Sequence, residues 1–177
     1  MELSFPWMEG SILRPRGKYV LGFLKKLRPM TQYQSIIHKM PYGKDFLFVD
    51  SYDYINEDGA LGYYHFDPEA AFYESHFPGN PITPGVILIE TMAQIGLVGL
   101  GLYLIQEKKT ENKEIIGIAF TETQVQFLEK VLPGEKVKVE SKKVYFRLGK
   151  LKCEVRMYNE KEQLVCFGTM AGIIINK

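Results

Sequence analysis

The sequence predicts an α+β fold in which one antiparallel sheet curls around a single long apolar helix. Three observations carry that expectation. Residues 84–105 form a long apolar stretch with Glu90 and Gln94 inside it. Four segments near the C-terminal end, roughly 115–121, 134–147, 150–158 and 163–175, read as strands, with Leu151, Cys153, Val155 and Met157 showing the period of two of a sheet with one wet face. Leu132-Pro133-Gly134-Glu135, Leu148-Gly149 and Asn159–Glu162 separate them with turn chemistry. Strands, one helix and then a run of strands is an α+β order.

The earlier elements follow in sequence order. Residues 1–30 hold six basic residues (Arg14, Arg16, Lys18, Lys25, Lys26, Arg28) against two acids (Glu2, Glu9). Val20, Leu21, Phe23, Leu24 and Leu27 repeat at helical spacing, so 17–28 reads as an amphipathic helix with a basic face in an N-terminal extension. The domain proper is set at 31–177. Thr31 is the expected cap of a short helix over 32–39 with Ile36 and Ile37 facing inward, ended by Pro41-Tyr42-Gly43. Phe46–Asp50 reads as a buried strand, and Ala60–Phe66 returns as a second across the Asn56–Gly59 turn. Asp67–Ala71 is a helical turn capped by its aspartate. The run 107–114 is a charged, solvated loop.

The totals exclude several classes. At 177 residues, with 46% hydrophobic content, the chain can build a sizeable core. A net charge of +1 offers no global argument for nucleic acid. Cys153 and Cys166 read as buried free thiols, without a disulfide framework. As a helix, 84–105 would span roughly 33 Å, enough for a bilayer. An acid inside it is costly in lipid, and strands follow to wrap it, so no integral membrane segment is expected. With no secretory signal read at the N-terminus, a cytoplasmic location is expected.

The chemistry concentrates in His76-Phe77-Pro78-Gly79-Asn80-Pro81-Ile82-Thr83-Pro84-Gly85 and the helix that follows through Val86 to Gln94. Thr83-Pro84-Gly85 is a helix start, with Thr83 the expected cap and Pro84 the expected first position. The first turn of a helix leaves its N–H groups unpartnered at the positive end of the dipole, and Gly85 lets a ligand carbonyl approach them. His76 is a base that works near neutral pH. Glu90, among Ile87, Leu88, Ile89 and Met92, is an acid that burial would keep protonated. Gln94, one turn on, is placed to bond Glu90. A packed core histidine is the commoner fate of such a residue, and Pro84-Gly85 alone would mark only a helix start. Together within 15 positions, the three supply what removing water from a 3-hydroxyacyl thioester requires, with no metal. His38 reads as structural and His65 as a residue of the sheet face.

The same residues resemble the signature of the hot-dog-fold 3-hydroxyacyl-(acyl carrier protein) dehydratases. His76 to Pro81, Pro84-Gly85, and Glu90 with Met92-Ala93-Gln94 match it, with 14 positions from His76 to Glu90. Further likeness lies in His38…Pro41…Phe46–Asp50 and in Phe127…Val131–Glu135. The resemblance implies a hot-dog fold and dimers in which His76 of one subunit meets Glu90 of the other, with trimers of such dimers as a further assembly. It implies Gly85 and Val86 at the thioester carbonyl, Gly79 near the water, and an acyl chain carried on the phosphopantetheine of an acyl carrier protein. No other cofactor is implied. Glu90 favours the dehydratase-only branch over the dehydratase/isomerase branch. Ser51 stands where relatives often carry arginine, and 124–126 lacks a basic residue usual there. Two other readings are a hydratase or thioesterase of the same fold acting on acyl-CoA, and a non-catalytic hot-dog subunit of a biosynthetic complex.

Overall fold

In the computed structural model, residues 32–108 and 115–176 are described. The expected basic extension over 1–30, the Thr31 cap and most of the charged run lie outside them. The first helix, α1 (Gln32–His38), buries Ile36 and Ile37 as its spacing requires and leaves His38 exposed at its end.

Phe46–Asp50 is not a strand, contrary to expectation. A 3-10 turn (Lys44–Phe46) leads into an extended segment, and the first strand is β1 (Ser51–Ile55). Phe48 and Val49 are buried. The segment fails to join a ladder because a side chain satisfies its backbone: the Phe48 N–H donates to Gln94 Oε1 at 2.7 Å and the Phe46 carbonyl accepts from Gln94 Nε2 at 2.9 Å. β1 turns through Asn56, whose Oδ1 accepts from the Asp58 and Gly59 N–H groups, into β2 (Gly59–His65). His65 is exposed at the strand's end. Asp67 caps its turn by accepting from the Glu69 N–H, but the helix α2 (Phe72–Ser75) forms only afterwards.

Three abutting pieces make the long helix. They are α3 (Gly85–Ala93), a π-helical turn (Gln94–Gly99) and α4 (Leu100–Lys108). Four strands complete the fold: β3 (Ile115–Phe127), β4 (Lys136–Arg147), β5 (Lys150–Asn159) and β6 (Leu164–Asn176). All pairs are antiparallel in the order β1-β2-β4-β5-β6-β3, so the sheet is open and β1 and β3 are its edges. β3 runs to Phe127, past the expected end near 121. Glu122, Thr123, Gln124 and Gln126 near its end are polar and exposed, and pairing with β6 from Glu122↔Ala171 to Phe127↔Cys166 holds the segment as a strand.

The π-turn lies against β2, β4, β5 and β6. Ile95, Leu97 and Leu100 of the helix meet Leu151, Val155 and Met157 of the sheet in one core, each no more than 1% exposed. Cys153 and Cys166 are buried free thiols; burial pushes each up to about 12. Helix and sheet approach closely at Gly99, where an added Cβ would fall 2.0 Å from the Tyr52 hydroxyl. That hydroxyl donates toward the Ile95 carbonyl at 3.1 Å, within the π-turn.

Candidate active site

The loop between α2 and α3 is held at both ends. Tyr73 and Thr83 share a buried hydrogen bond of 2.6 Å, and the Thr83 N–H donates to the Val131 carbonyl at 2.8 Å. Thr83 therefore does not cap α3. Pro84 occupies the cap position, with extended backbone and no side-chain bond, and Gly85 is the first helical residue. The Thr83 hydroxyl is withdrawn from the helix end by Tyr73, and the helix starts one residue later than the sequence suggests. Ile87 and Leu88 N–H groups both reach the Pro84 carbonyl. The Gly85 and Val86 N–H groups take no hydrogen-bond partner among the described residues, and Val86 is 72% exposed. A Cβ on Gly85 would sit 3.1 Å from Phe127 Cζ, so its absence leaves open the space before these two donors.

His76 is half-buried and stacks on Phe77, ring centroids 4.2 Å apart. The His76–Phe77 peptide is cis. Its Nδ1 lies 3.1 Å from the Ile82 carbonyl oxygen. A carbonyl can only accept, so Nδ1 carries the proton and Nε2 presents a lone pair. Gly79 sits in the same loop at φ +80°, a left-handed turn position with no atom crowding it.

Glu90 is half-buried, not enclosed among apolar neighbours as the sequence suggests. It is also not alone. Gln94 Nε2 donates to Glu90 Oε1 at 2.9 Å, as its spacing requires, and the Tyr42 phenol lies near enough to feel the carboxylate. Burial, with the neighbouring Glu90 charge, pushes the Tyr42 phenol up to about 12. Sequence reasoning missed Tyr42, which reads only as the end of a short helix. No periodicity or spacing could have placed it, since the contact crosses 48 positions.

The structure thus gathers two groups: Glu90, Gln94 and Tyr42 in one, His76 with its loop in the other. No hydrogen bond or ion pair joins His76 to Glu90 within the described residues. Phe77, Phe127, Leu128 and Leu132 expose apolar surface, each at least 38% accessible. β3 offers an edge that pairs only with β6.

Comparison with known proteins bears on the fold and the family. A solved dehydratase heterocomplex from Xenorhabdus doucetiae is similar in fold, with a TM-score of 0.66 at 12% identity over 80% of this chain and 91% of that one. A Thermus thermophilus thioesterase superfamily member gives 0.53 at 21% identity over 71% of this chain and 87% of that one. These establish the hot-dog fold and nothing finer. In sequence, the 3-hydroxyacyl-(acyl-carrier-protein) dehydratase FabZ of Acetivibrio thermocellus is 35% identical over 127 residues, 70% of this chain and 80% of the relative. That of Caldicellulosiruptor saccharolyticus is 31% identical over 144 residues, 80% and 96% of the two. The model of the FabA-like domain matches residues 40–166, a span that holds His76, Gly85, Glu90 and Gln94 together, and the chain belongs to that family.

Proposed function

We propose that this protein is a hydro-lyase that dehydrates 3-hydroxyacyl-(acyl carrier protein) to the trans-2-enoyl thioester in fatty-acid biosynthesis or a related lipid pathway. The observation that carries the reading is the pair of free N–H groups at Gly85 and Val86, opening the helix that also bears Glu90. The thioester carbonyl accepts from these two donors, which stabilise the enolate-like charge as the α C–H bond breaks. His76 Nε2 takes the α-proton. The Cα–Cβ double bond forms as the C3–O bond breaks, and the hydroxyl leaves as water with the proton of Glu90. Gln94 holds the carboxyl in place, and the Gly79 turn lies where the departing water passes. The imidazolium and the carboxylate then exchange their surplus through solvent, restoring both groups. Protein side chains and amides supply every step drawn.

The separation of His76 from Glu90 bonds within one chain supports a homodimer with shared sites. Its interface would use the β3 edge and the apolar surface around Phe127, and trimers of such dimers would extend it. Family membership supports the acyl carrier protein as the bearer of the phosphopantetheine-linked chain. Among the described residues, the one helix long and apolar enough to cross a membrane is mostly buried inside the domain, in keeping with a cytoplasmic enzyme. The basic residues of segment 14–28, in the extension read as separate from the 31–177 domain, would attract an acidic carrier by charge.

The direct test incubates purified protein with a carrier-bound 3-hydroxyacyl chain and follows the acyl mass. Loss of one water, reversed when enoyl carrier is supplied, supports the reading. An unchanged chain that stays bound would favour the non-catalytic subunit, and release of free acid would favour the thioesterase. Gly85→Ala places a methyl in front of the two donors. Turnover is expected to fall by roughly tenfold or more. Stability should change little, because the half-exposed Phe127 ring can yield. Steady-state rates beside a denaturation curve check both statements.

A further inference from the structure

We propose that Tyr52 is a positioning residue of this site, its hydroxyl pinning the helix at the Gln94 and Ile95 carbonyls so that the Gln94 amide keeps its hold on the Glu90 carboxyl. The inference rests on the dehydratase reading and extends it to a strand residue outside the signature.

Gln94 is held at both of its ends. The orientation of its amide is forced, because the Phe48 N–H can only donate to Oε1, at 2.7 Å, and the Phe46 carbonyl can only accept from Nε2, at 2.9 Å. The remaining Nε2 hydrogen goes to Glu90 Oε1 at 2.9 Å. The main chain of Gln94 lies where α3 gives way to the π-turn, and its N–H is shared between the Glu90 and Thr91 carbonyls. The buried Tyr52 hydroxyl reaches this junction from β1, 3.1 Å from the Ile95 carbonyl oxygen and 3.4 Å from that of Gln94. Carbonyls only accept, so the single phenol hydrogen is shared between the two. Burial holds this phenol well above its ordinary range, and the hydrogen stays in place.

Two glycines make room for the ring. Gly62 stands opposite Tyr52 in the ladder, where an added Cβ would lie 3.0 Å from Tyr52 Cδ1 and 2.9 Å from Ile95 Cγ2. Gly99 stands on the helix, where a Cβ would lie 2.0 Å from the hydroxyl and 2.8 Å from Cζ. The strand thus fixes the helix at the residue whose amide holds Glu90. During elimination Glu90 gives up a proton and a negative charge appears on its oxygens. A donor aimed at those oxygens beforehand stabilises that charge without moving. Releasing the junction should let the amide drift from the carboxyl. Departure of the hydroxyl is then slower, while the thioester still binds at Gly85 and Val86.

Tyr52→Phe keeps the ring and deletes only the hydroxyl. The expected result is a kcat about fivefold lower on the 3-hydroxyacyl substrate, the worth of one neutral hydrogen bond, with KM within about twofold. A second substrate separates this from a general defect. A 3-fluoroacyl thioester gives its α-proton to His76 and loses fluoride as the Cα–Cβ double bond forms, so it needs no proton from Glu90. Both rates are read on one preparation of the variant, so any loss of folded protein cancels from their ratio. A hydroxy-to-fluoro ratio about fivefold below that of the wild type supports the inference. An unchanged ratio overturns it, whether both rates fall together or neither falls. Inactivity of the wild type on the hydroxy substrate would instead count against the dehydratase reading itself.

Discussion

His76→Ala and Glu90→Gln should each reduce turnover of a carrier-bound 3-hydroxyacyl chain by a factor of about 100 or more. The two substitutions remove different halves of one elimination. Without the His76 ring nothing in the loop accepts the α-proton, since Nε2 is the free nitrogen and Nδ1 is spent on the Ile82 carbonyl. Losing the Nδ1 bond should loosen the loop without unfolding it, because the Tyr73–Thr83 bond and the Thr83 link to Val131 remain. Glu90→Gln keeps the shape of the side chain and an acceptor for the Gln94 amide, so its loss should be chemical alone. Mass analysis of the acyl chain, with a denaturation curve for each variant, tests the pair. Near-normal turnover by either one would remove that residue from the mechanism. If the sites are shared in a dimer, mixing the two inactive variants should restore part of the activity.

Gln94→Leu should cost both stability and activity. The side chain is fully buried and makes three hydrogen bonds. Leucine is of similar volume but leaves the Phe48 N–H and the Phe46 carbonyl without their partner. An unsatisfied buried polar group costs on the order of 1–3 kcal/mol, so a total loss of roughly 3 kcal/mol is expected. The denaturation midpoint should move with little change in slope. Turnover should fall as well, since Glu90 loses a donor. A midpoint like that of the wild type would mean that water reaches Phe46 and Phe48 and replaces the amide.

Much of this was legible before any coordinates. Leu151, Cys153, Val155 and Met157 alternate because the sheet has one inner face, and all four are buried in the structure. The Gln94–Glu90 bond follows from one helical turn of spacing. What was not legible was settled by contacts distant in sequence. Phe46–Asp50 has the composition of a strand, yet its backbone is paired by a side chain 46 and 48 positions away. Thr83 has the chemistry of a cap and is diverted to Tyr73. Tyr42 comes near Glu90 only because the chain folds its opening segment across the helix. In each case a local rule described the residue correctly, and a tertiary partner outbid it.

The π-turn divides the long helix in a way that its unbroken apolar sequence conceals. An α-helix advances about 100° per residue, so one residue accommodated in a wider turn rotates everything beyond it by about that angle. Residues 85–93 and residues 100–108 are thus set on independent headings. The first half can aim Glu90 at the reacting atoms while the second aims Leu100, Leu102 and Leu104 at the core. Deleting a single residue within 94–99 would merge the two headings, and either the carboxyl or the leucines would point the wrong way. A helix that looks like plain structural filling is therefore an angular adjustment between the Glu90 carboxyl and the core behind it.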